Sequence, residues 1–246
     1  MAFSPDGQTV LTAAKTTARI WDVGSGAQRV VFKGHTDLIR DVAFSLNGQM
    51  VVTASDDRTA RLWNVRTGEV LQVLRGHQSD VEHASFSGDG GMVVTHSIDV
   101  RDKVIRLWDT ATGKMSGELT GHEHRVNAAS FSQDGSLVVS ASDDKSARLW
   151  DSASGRLLFV NRGHQMAVHS AVFSPTEAKY LTASADKSAK IWQIPNLGRI
   201  GLLNRTGELT NYRVCEDSFE VMAVLPFPSP ETVWAPEALC GREVSQ

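Results

Sequence analysis

The sequence predicts an all-β protein built from about five repeats of a four-stranded antiparallel unit. Three observations carry this. Trp21, Trp63, Trp108, Trp150 and Trp192 follow one another at spacings of 42, 45, 42 and 42 residues. Gly-His pairs (Gly34-His35, Gly76-His77, Gly121-His122, Gly163-His164) keep the same step, 42, 45 and 42. Each unit also carries a Phe-Ser turn segment, Phe3–Gly7, Phe44–Gly48, Phe86–Gly90 and Phe131–Gly135, with a degraded copy at Phe173–Glu177. A fixed period of this length is the mark of a repeat architecture. The three extra residues of the third unit fall around Ile98-Asp99-Val100-Arg101.

The second unit shows why each segment is a strand. Ile39–Ser45 is apolar-rich and runs into Asn47-Gly48, a pair that tolerates the positive φ of a hairpin turn. Met50–Ala54 follows, then an Asp56-Asp57-Arg58 turn, then Thr59–Trp63 with alternating character. Thr67-Gly68 makes a further turn before Val70–Leu74. Four short strands joined by tight turns within about 42 residues describe a stacked antiparallel unit. No segment sustains a 3.6-residue apolar stripe over three turns, which argues against helices. Gly-His, then Ser-x-Asp, then Leu-Trp-Asp at this spacing resembles the WD-repeat family of β-propellers over residues 1 to about 193. The likeness of the units to one another also resembles bacterial WD-repeat arrays, which are often joined to signalling kinases or NTPases.

Composition bounds the function. Apolar residues at 41% and charged residues at 22% are globular values, which excludes a disordered or fibrous chain. A net charge of −3, with no run of five Lys or Arg, speaks against electrostatic binding of nucleic acid. No apolar run reaches the roughly 18 residues of a membrane helix, and Met1–Asp6 lacks a charged-then-apolar leader. Only Cys215 and Cys240 occur, so a disulfide framework is excluded and a reducing, cytoplasmic home is expected. Both are read as packed thiols. No Gly-rich phosphate loop, CxxC or HExxH is present, so neither metal nor other cofactor is expected. His122-x-His124 has no third ligand at a recognisable spacing, and Asp56-Asp57 and Asp143-Asp144 are read as turns.

Each unit offers Ser, His and Asp, the residue types of nucleophilic hydrolysis. They are His35, Ser55 and Asp57; His77, Ser97 and Asp102; His122, Ser142 and Asp144; His164, Ser184 and Asp186. Four equivalent copies do not make one active site, so no catalytic residue is assigned. The resemblance implies a structural role instead. Asp accepts from His, His bonds to Ser, and Ser receives the indole N–H of Trp63, Trp108, Trp150 or Trp192. Thr53, on the strand face of Ser55, is an alternative hydroxyl.

The first unit departs from the pattern. It has no Gly-His, its Thr12–Trp21 stretch is one residue shorter than Thr53–Trp63, and Ala14 and Lys15 stand where Ser and Asp belong. No buried network is expected there, and the unit should be the least stable. The first blade is expected to be incomplete, with the ring either open or closed by the tail, and the chain reads as part of a longer array. The propeller is placed at 1–204 and a non-repeat tail at 205–246. Pro195–Gly198 reads as a turn and Arg199–Asn204 as an outer strand of the fifth blade. Tyr212–Cys215 and Phe219–Phe227 read as tail strands ahead of a Pro-rich end.

The resemblance implies a platform that binds other proteins, here the docking or sensing part of a signalling protein, with no nucleic acid and no membrane as partners. Unpaired blade edges leave self-association open as well. The family's favoured contact positions map onto Leu38, Arg40 and Asp56 in the second unit and Asp80, Glu82 and Arg101 in the third. They map onto Arg125, Asn127 and Asp143 in the fourth and Ala167, His169 and Ala185 in the fifth. The mixed signs suit a polar protein epitope, with Arg40 and Arg125 as anchors. Two readings compete: a propeller enzyme of glycosidase type, against which Asp41 alone is insufficient, and a structural remnant without a partner.

Overall fold

In a computed structural model of the chain, residues 1–97, 99–194, 212–214 and 221–223 are described. The chain divides into two compact units, Met1–Trp192 and Gln193–Gln246. The first unit holds five antiparallel sheets. The first comprises β1 (Ala2–Phe3), β2 (Thr9–Ala14), β3 (Thr17–Asp22) and β4 (Gln28–Lys33). The second comprises β5 (Ile39–Phe44), β6 (Met50–Ser55), β7 (Thr59–Asn64) and β8 (Val70–Arg75). The third comprises β9 (Val81–Phe86), β10 (Met92–Ser97), β11 (Ile105–Asp109) and β12 (Met115–Leu119). The fourth comprises β13 (Val126–Phe131), β14 (Leu137–Ser142), β15 (Ala147–Asp151) and β16 (Leu157–Asn161). The fifth comprises β17 (Val168–Phe173), β18 (Lys179–Ser184) and β19 (Ala189–Gln193).

Every sheet is a meander in sequence order, and the first strands gather on one side, β5 beside β9, β9 beside β13 and β13 beside β17. The expectation of an incomplete first blade is corrected in detail. That sheet has all four strands, its first being only the pair Ala2–Phe3, which is registered on Val10–Leu11. The short sheet is the fifth, with three strands among the described residues. In the second unit, β20 (Tyr212–Val214) pairs antiparallel with β21 (Val221–Ala223). The expected turn at 195–198, the strand at 199–204, Cys215, Cys240 and the Pro-rich end lie outside the described residues.

The turns are held by side chains chosen for that purpose. In the Phe-Ser-x-Asn/Asp-Gly segments the Ser hydroxyl sits under the turn. Ser45 Oγ donates to Asn47 Oδ1 (2.8 Å) and accepts from the Met50 amide (2.9 Å), while Gly48 supplies a φ of 67°. Ser4, Ser87 and Ser132 repeat this with Asp6, Asp89 and Asp134. The core lies between sheets. The alternation of β6 and β7 sends Val52, Ala54, Ala60 and Leu62 forward onto Val81, Ala84, Val93 and Trp108 of the next sheet. Leu11, Ile20 and Phe32 pack likewise on Val42, Val51 and Trp63, and Val94, Leu107 and Leu119 on Val126, Val138 and Trp150.

Candidate functional site

The Gly-His segment brings each histidine against the Trp of its own sheet. Glycine is needed before it because a Cβ on Gly34 would stand 3.2 Å from Trp63 Cη2, and one on Gly163 2.8 Å from Trp192 Cη2. His35 Nδ1 lies 2.7 Å from Asp57 Oδ2, His77 Nδ1 2.9 Å from Asp102, His122 Nδ1 2.7 Å from Asp144 and His164 Nδ1 2.9 Å from Asp186. On the other side of each ring the hydroxyl is not the expected one. His35 Nε2 meets Thr53 Oγ1 at 2.6 Å, His77 meets Thr95 at 2.7 Å, His122 meets Ser140 at 2.7 Å and His164 meets Thr182 at 2.8 Å. The same four hydroxyls accept the indole N–H of Trp63, Trp108, Trp150 and Trp192 at 2.8–2.9 Å.

Ser55, Ser97, Ser142 and Ser184 are therefore corrected out of the network. They lie on the same strand face but at its end, where they accept the amides of Asp57, Asp99, Asp144 and Asp186 at 3.0–3.2 Å. Three of them also donate back to a carbonyl, of Asp37, His124 or Met166. They hold the turn that carries the aspartate. The first sheet also needs a correction: Trp21 Nε1–H donates to Thr12 Oγ1 at 2.8 Å. Half of the network exists there without His or Asp. The signal for all five hydroxyls was present as a Thr or Ser standing 9, 10, 13, 10 and 10 residues ahead of each Trp.

The proton order follows from the donors. In the second, third and fourth sheets Trp gives its N–H to the hydroxyl, which leaves the hydroxyl proton for Nε2 and Nδ1–H for the carboxylate, the neutral form that burial favours. Burial lowers the pKa of His35, His77 and His122 below 6.5, against the raising effect of the neighbouring Asp. Burial alone would raise the carboxyls of Asp57, Asp102 and Asp144, but hydrogen bonds from the histidines and from Thr59, Arg106 or Ser146 outweigh it and hold them below 3.8. Such a set has no exposed nucleophile: His35, His77, His122 and His164, Thr53, Thr95, Ser140 and Thr182 are all buried. His122 is committed here, and among the described residues no group of three His, Cys, Asp or Glu is arranged to hold a metal ion.

The remaining predicted positions form charged groups between sheets. Arg40 makes a two-pronged contact with Asp56, 2.7 Å from Nε and 2.6 Å from Nη2, and Glu82 and Asp80 of the next sheet help keep it charged. Asp80 also lies within electrostatic reach of Arg101, which is bonded to Asp99. Asn127 donates to Asp143 Oδ1 (2.7 Å) and to the Val168 carbonyl of the fifth sheet (2.9 Å). Arg125 Nε donates to Asn127 Oδ1 (3.0 Å) and lies 3.2 Å from Asp143. Among the described residues no bond falls to the two terminal nitrogens of Arg125, whereas the fork of Arg40 is already filled by Asp56. Leu38 and His169 are exposed, Ala167 and Ala185 half-buried. Sequence reading did not single out the pairing of Asp41 with His83 (2.6 Å), nor His96, which is 1% exposed with neither ring nitrogen bonded.

With this geometry in place, the family comparison is direct. The model of the WD domain, G-beta repeat, matches residues 1–22, 26–64, 68–109, 113–151 and 155–193. The chain belongs to the WD-repeat family. A second comparison gives 40% identity over 57 residues with pre-mRNA-processing factor 19 homolog 2 of Arabidopsis thaliana, covering 23% of this chain and 11% of that protein. The five matched segments each end at or next to the Trp-bearing strand, so the family period and the sheet boundaries are offset by one strand. Among the described residues of this WD-repeat chain no helix is long and apolar enough to cross a membrane.

Proposed function

We propose that this WD-repeat protein is a non-catalytic scaffold that docks other proteins on the charged face running from Arg40 and Asp56, past Asp80, Glu82 and Arg101, to Arg125, Asn127, Asp143 and His169. It acts as the docking or sensing part of a signalling protein. One observation carries the reading: all four His–Asp–hydroxyl sets are bonded internally around buried histidines and hydroxyls, so these repeated sets are spent on holding the sheets. What is left outward is charge of both signs at fixed positions, which selects a partner by complementarity rather than by reaction. The terminal nitrogens of Arg125 suit a carboxylate of the partner. The relative matched in part is named for pre-mRNA processing, and protein docking is the element of such a role that a repeat platform supplies.

A glycosidase needs a pair of carboxylates facing one bond. The register equivalents of Asp41 are His83, Ala128 and Ser170, and Asp41 is itself bonded to His83. The test is an affinity capture with the wild-type chain beside an Arg40→Glu/Arg125→Glu double variant of unchanged melting temperature. Partners held by wild type and lost by the variant support the face. An identical captured set would sink it.

A further inference from the structure

We infer that a second copy of this chain stacks its first sheet on the forward face of the fifth sheet, end to end. This does not depend on the charged face. In the second, third and fourth sheets the forward positions Val52, Val94 and Val139, and Leu62, Leu107 and Leu149, are fully buried. Their register equivalents in the fifth sheet are Leu181 and Ile191, because Val52↔Leu62 and Val139↔Leu149 recur with the same offset from Trp63, Trp150 and Trp192. Leu181 is 41% exposed, Ile191 63%, and Val172 beside them 47%. On the opposite face of that sheet Tyr180, Thr182, Val168 and Ala171 are buried and Trp192 is half-buried. One side of the fifth sheet thus keeps the sequence of an inter-sheet contact with no sheet against it among the described residues.

What fits this face is shown within the molecule itself. Wherever a forward face is covered, the cover is the Trp-bearing face of the next sheet: Val42, Val51 and Trp63 on the first, Val81, Val93 and Trp108 on the second, Val126, Val138 and Trp150 on the third. Among the described residues the first sheet leaves such a face exposed. Val10 and Trp21 are only half-buried where Val51 and Trp63 are sealed, and Phe3, the equivalent of Phe44, is 68% exposed. Two complementary apolar faces at opposite ends define a head-to-tail contact, which uses different surfaces on the two copies. Contiguous apolar area of this kind on a folded protein marks an association site.

The measurement is absolute mass by light scattering on the 246-residue chain from about 5 to 100 µM. Wild type should exceed the 26.7 kDa monomer, with the mass rising with concentration. Leu181→Glu/Ile191→Glu and, separately, Phe3→Glu should each return it to monomer with unchanged circular dichroism and melting, since all three positions are exposed. Leu181→Ser/Ile191→Ser serves if the glutamates perturb folding. The deciding arm mixes the two glutamate variants. Each retains one good end, so the mixture should form a dimer that grows no further. A wild type that stays monomeric throughout overturns the proposal. So does a mixture that stays monomeric, and so does either variant that remains dimeric alone, which would mean that like faces meet.

Discussion

The first and third sheets carry a Trp at the same point of the same ladder, yet they hold it by different means. Trp21 has one bond, to Thr12, and is half-buried. Trp108 is buried against Gly76 and shares Thr95 with His77, which bonds Asp102, which in turn receives Arg106 Nη1 at 2.7 Å. The third set joins the loop ahead of β9 to β10 and β11; the first joins only β2 to β3. The second and fourth lie between. Arg61 lies 6.0 Å from the Trp63 ring centroid, and Arg148 is 3.5 Å from Asp144. The difference teaches that the repeat specifies a strand pattern by its apolar alternation and its turns, and adds the polar set as a graded lock. The first sheet folds without the lock because its forward face, Leu11, Ile20 and Phe32, is fully packed on the second.

The comparison breaks most sharply at Asp102. Replacing it with Ala removes the partner of a buried Arg106 and of His77 together, and loss of one member of a buried pair costs about 3–5 kcal/mol. Thr95→Val keeps the shape but strands His77 Nε2 and the Trp108 N–H, for about 2–4 kcal/mol. The matching change in the first sheet, Thr12→Val, strands one half-exposed indole and should cost about 1 kcal/mol or less. Urea unfolding of the three variants checks the order. Equal losses for Thr95→Val and Thr12→Val would mean that the network contributes nothing beyond the Trp bond. Amide exchange should agree, with β2 and β3 exchanging faster than β10 and β11.

Acid should loosen the locked sheets first. His35, His77 and His122 have folded pKa values below 6.5, so the unfolded chain binds more protons below that pH and stability falls as pH drops from 7 to 5. The slope is at most about 1.4 kcal/mol per pH unit for each histidine. The carboxyls of Asp57, Asp102 and Asp144 are also depressed, so their contribution stands above pH 3.8 and is lost below it, in the same direction. The first sheet has neither group. Melting temperature followed at pH 7.5, 6 and 5 should decline through that interval, and less so in a His77→Gln variant. A flat profile would contradict neutral buried rings.

The fold was legible because its signals repeat. Five Trp, four Gly-His pairs and five Phe-Ser segments mark strands and turns at one period, and the four strands of the second unit lie within a residue of the segments read there. The network was legible in its residue types but not in its hydroxyl. Thr53 and Ser55 share a face, and which of them reaches the indole depends on how the Trp side chain leans along the strand. The fifth sheet's bare face was hidden for a different reason. Leu181 and Ile191 stand where three other sheets have buried residues, and exposure depends on a neighbouring sheet that local sequence does not report. The Asp41–His83 pair spans two sheets, and no spacing within one unit announces it.

The smallest effect that sharpens the comparison lies in one turn. Arg58, Lys145 and Lys187 follow the network aspartates at φ values of 65–67°, and Lys15 takes the same place in the first sheet at 54°. A non-glycine residue there costs about 1–2 kcal/mol relative to the right-handed region, partly offset in a Gly variant by the larger entropy of its unfolded chain. In the fourth sheet the Ser142 carbonyl, the Ser142 hydroxyl and Asp144 over-determine the turn. In the first sheet there is no aspartate, but the Lys15 carbonyl accepts the amide of Ile39 at 2.8 Å, so the turn is positioned from the second sheet. Lys15→Gly therefore relieves strain without releasing a lock, and should raise stability by about 0.5 kcal/mol, or 1–2 °C in melting temperature for a domain of about this size. Lys145→Gly should gain about the same, since the φ strain is shared and the lock is untouched. A loss at Lys15 with a gain at Lys145 would mean that the bond to Ile39 needs a stiff residue there, and that the first sheet is held by its neighbour's backbone more than by its own packing.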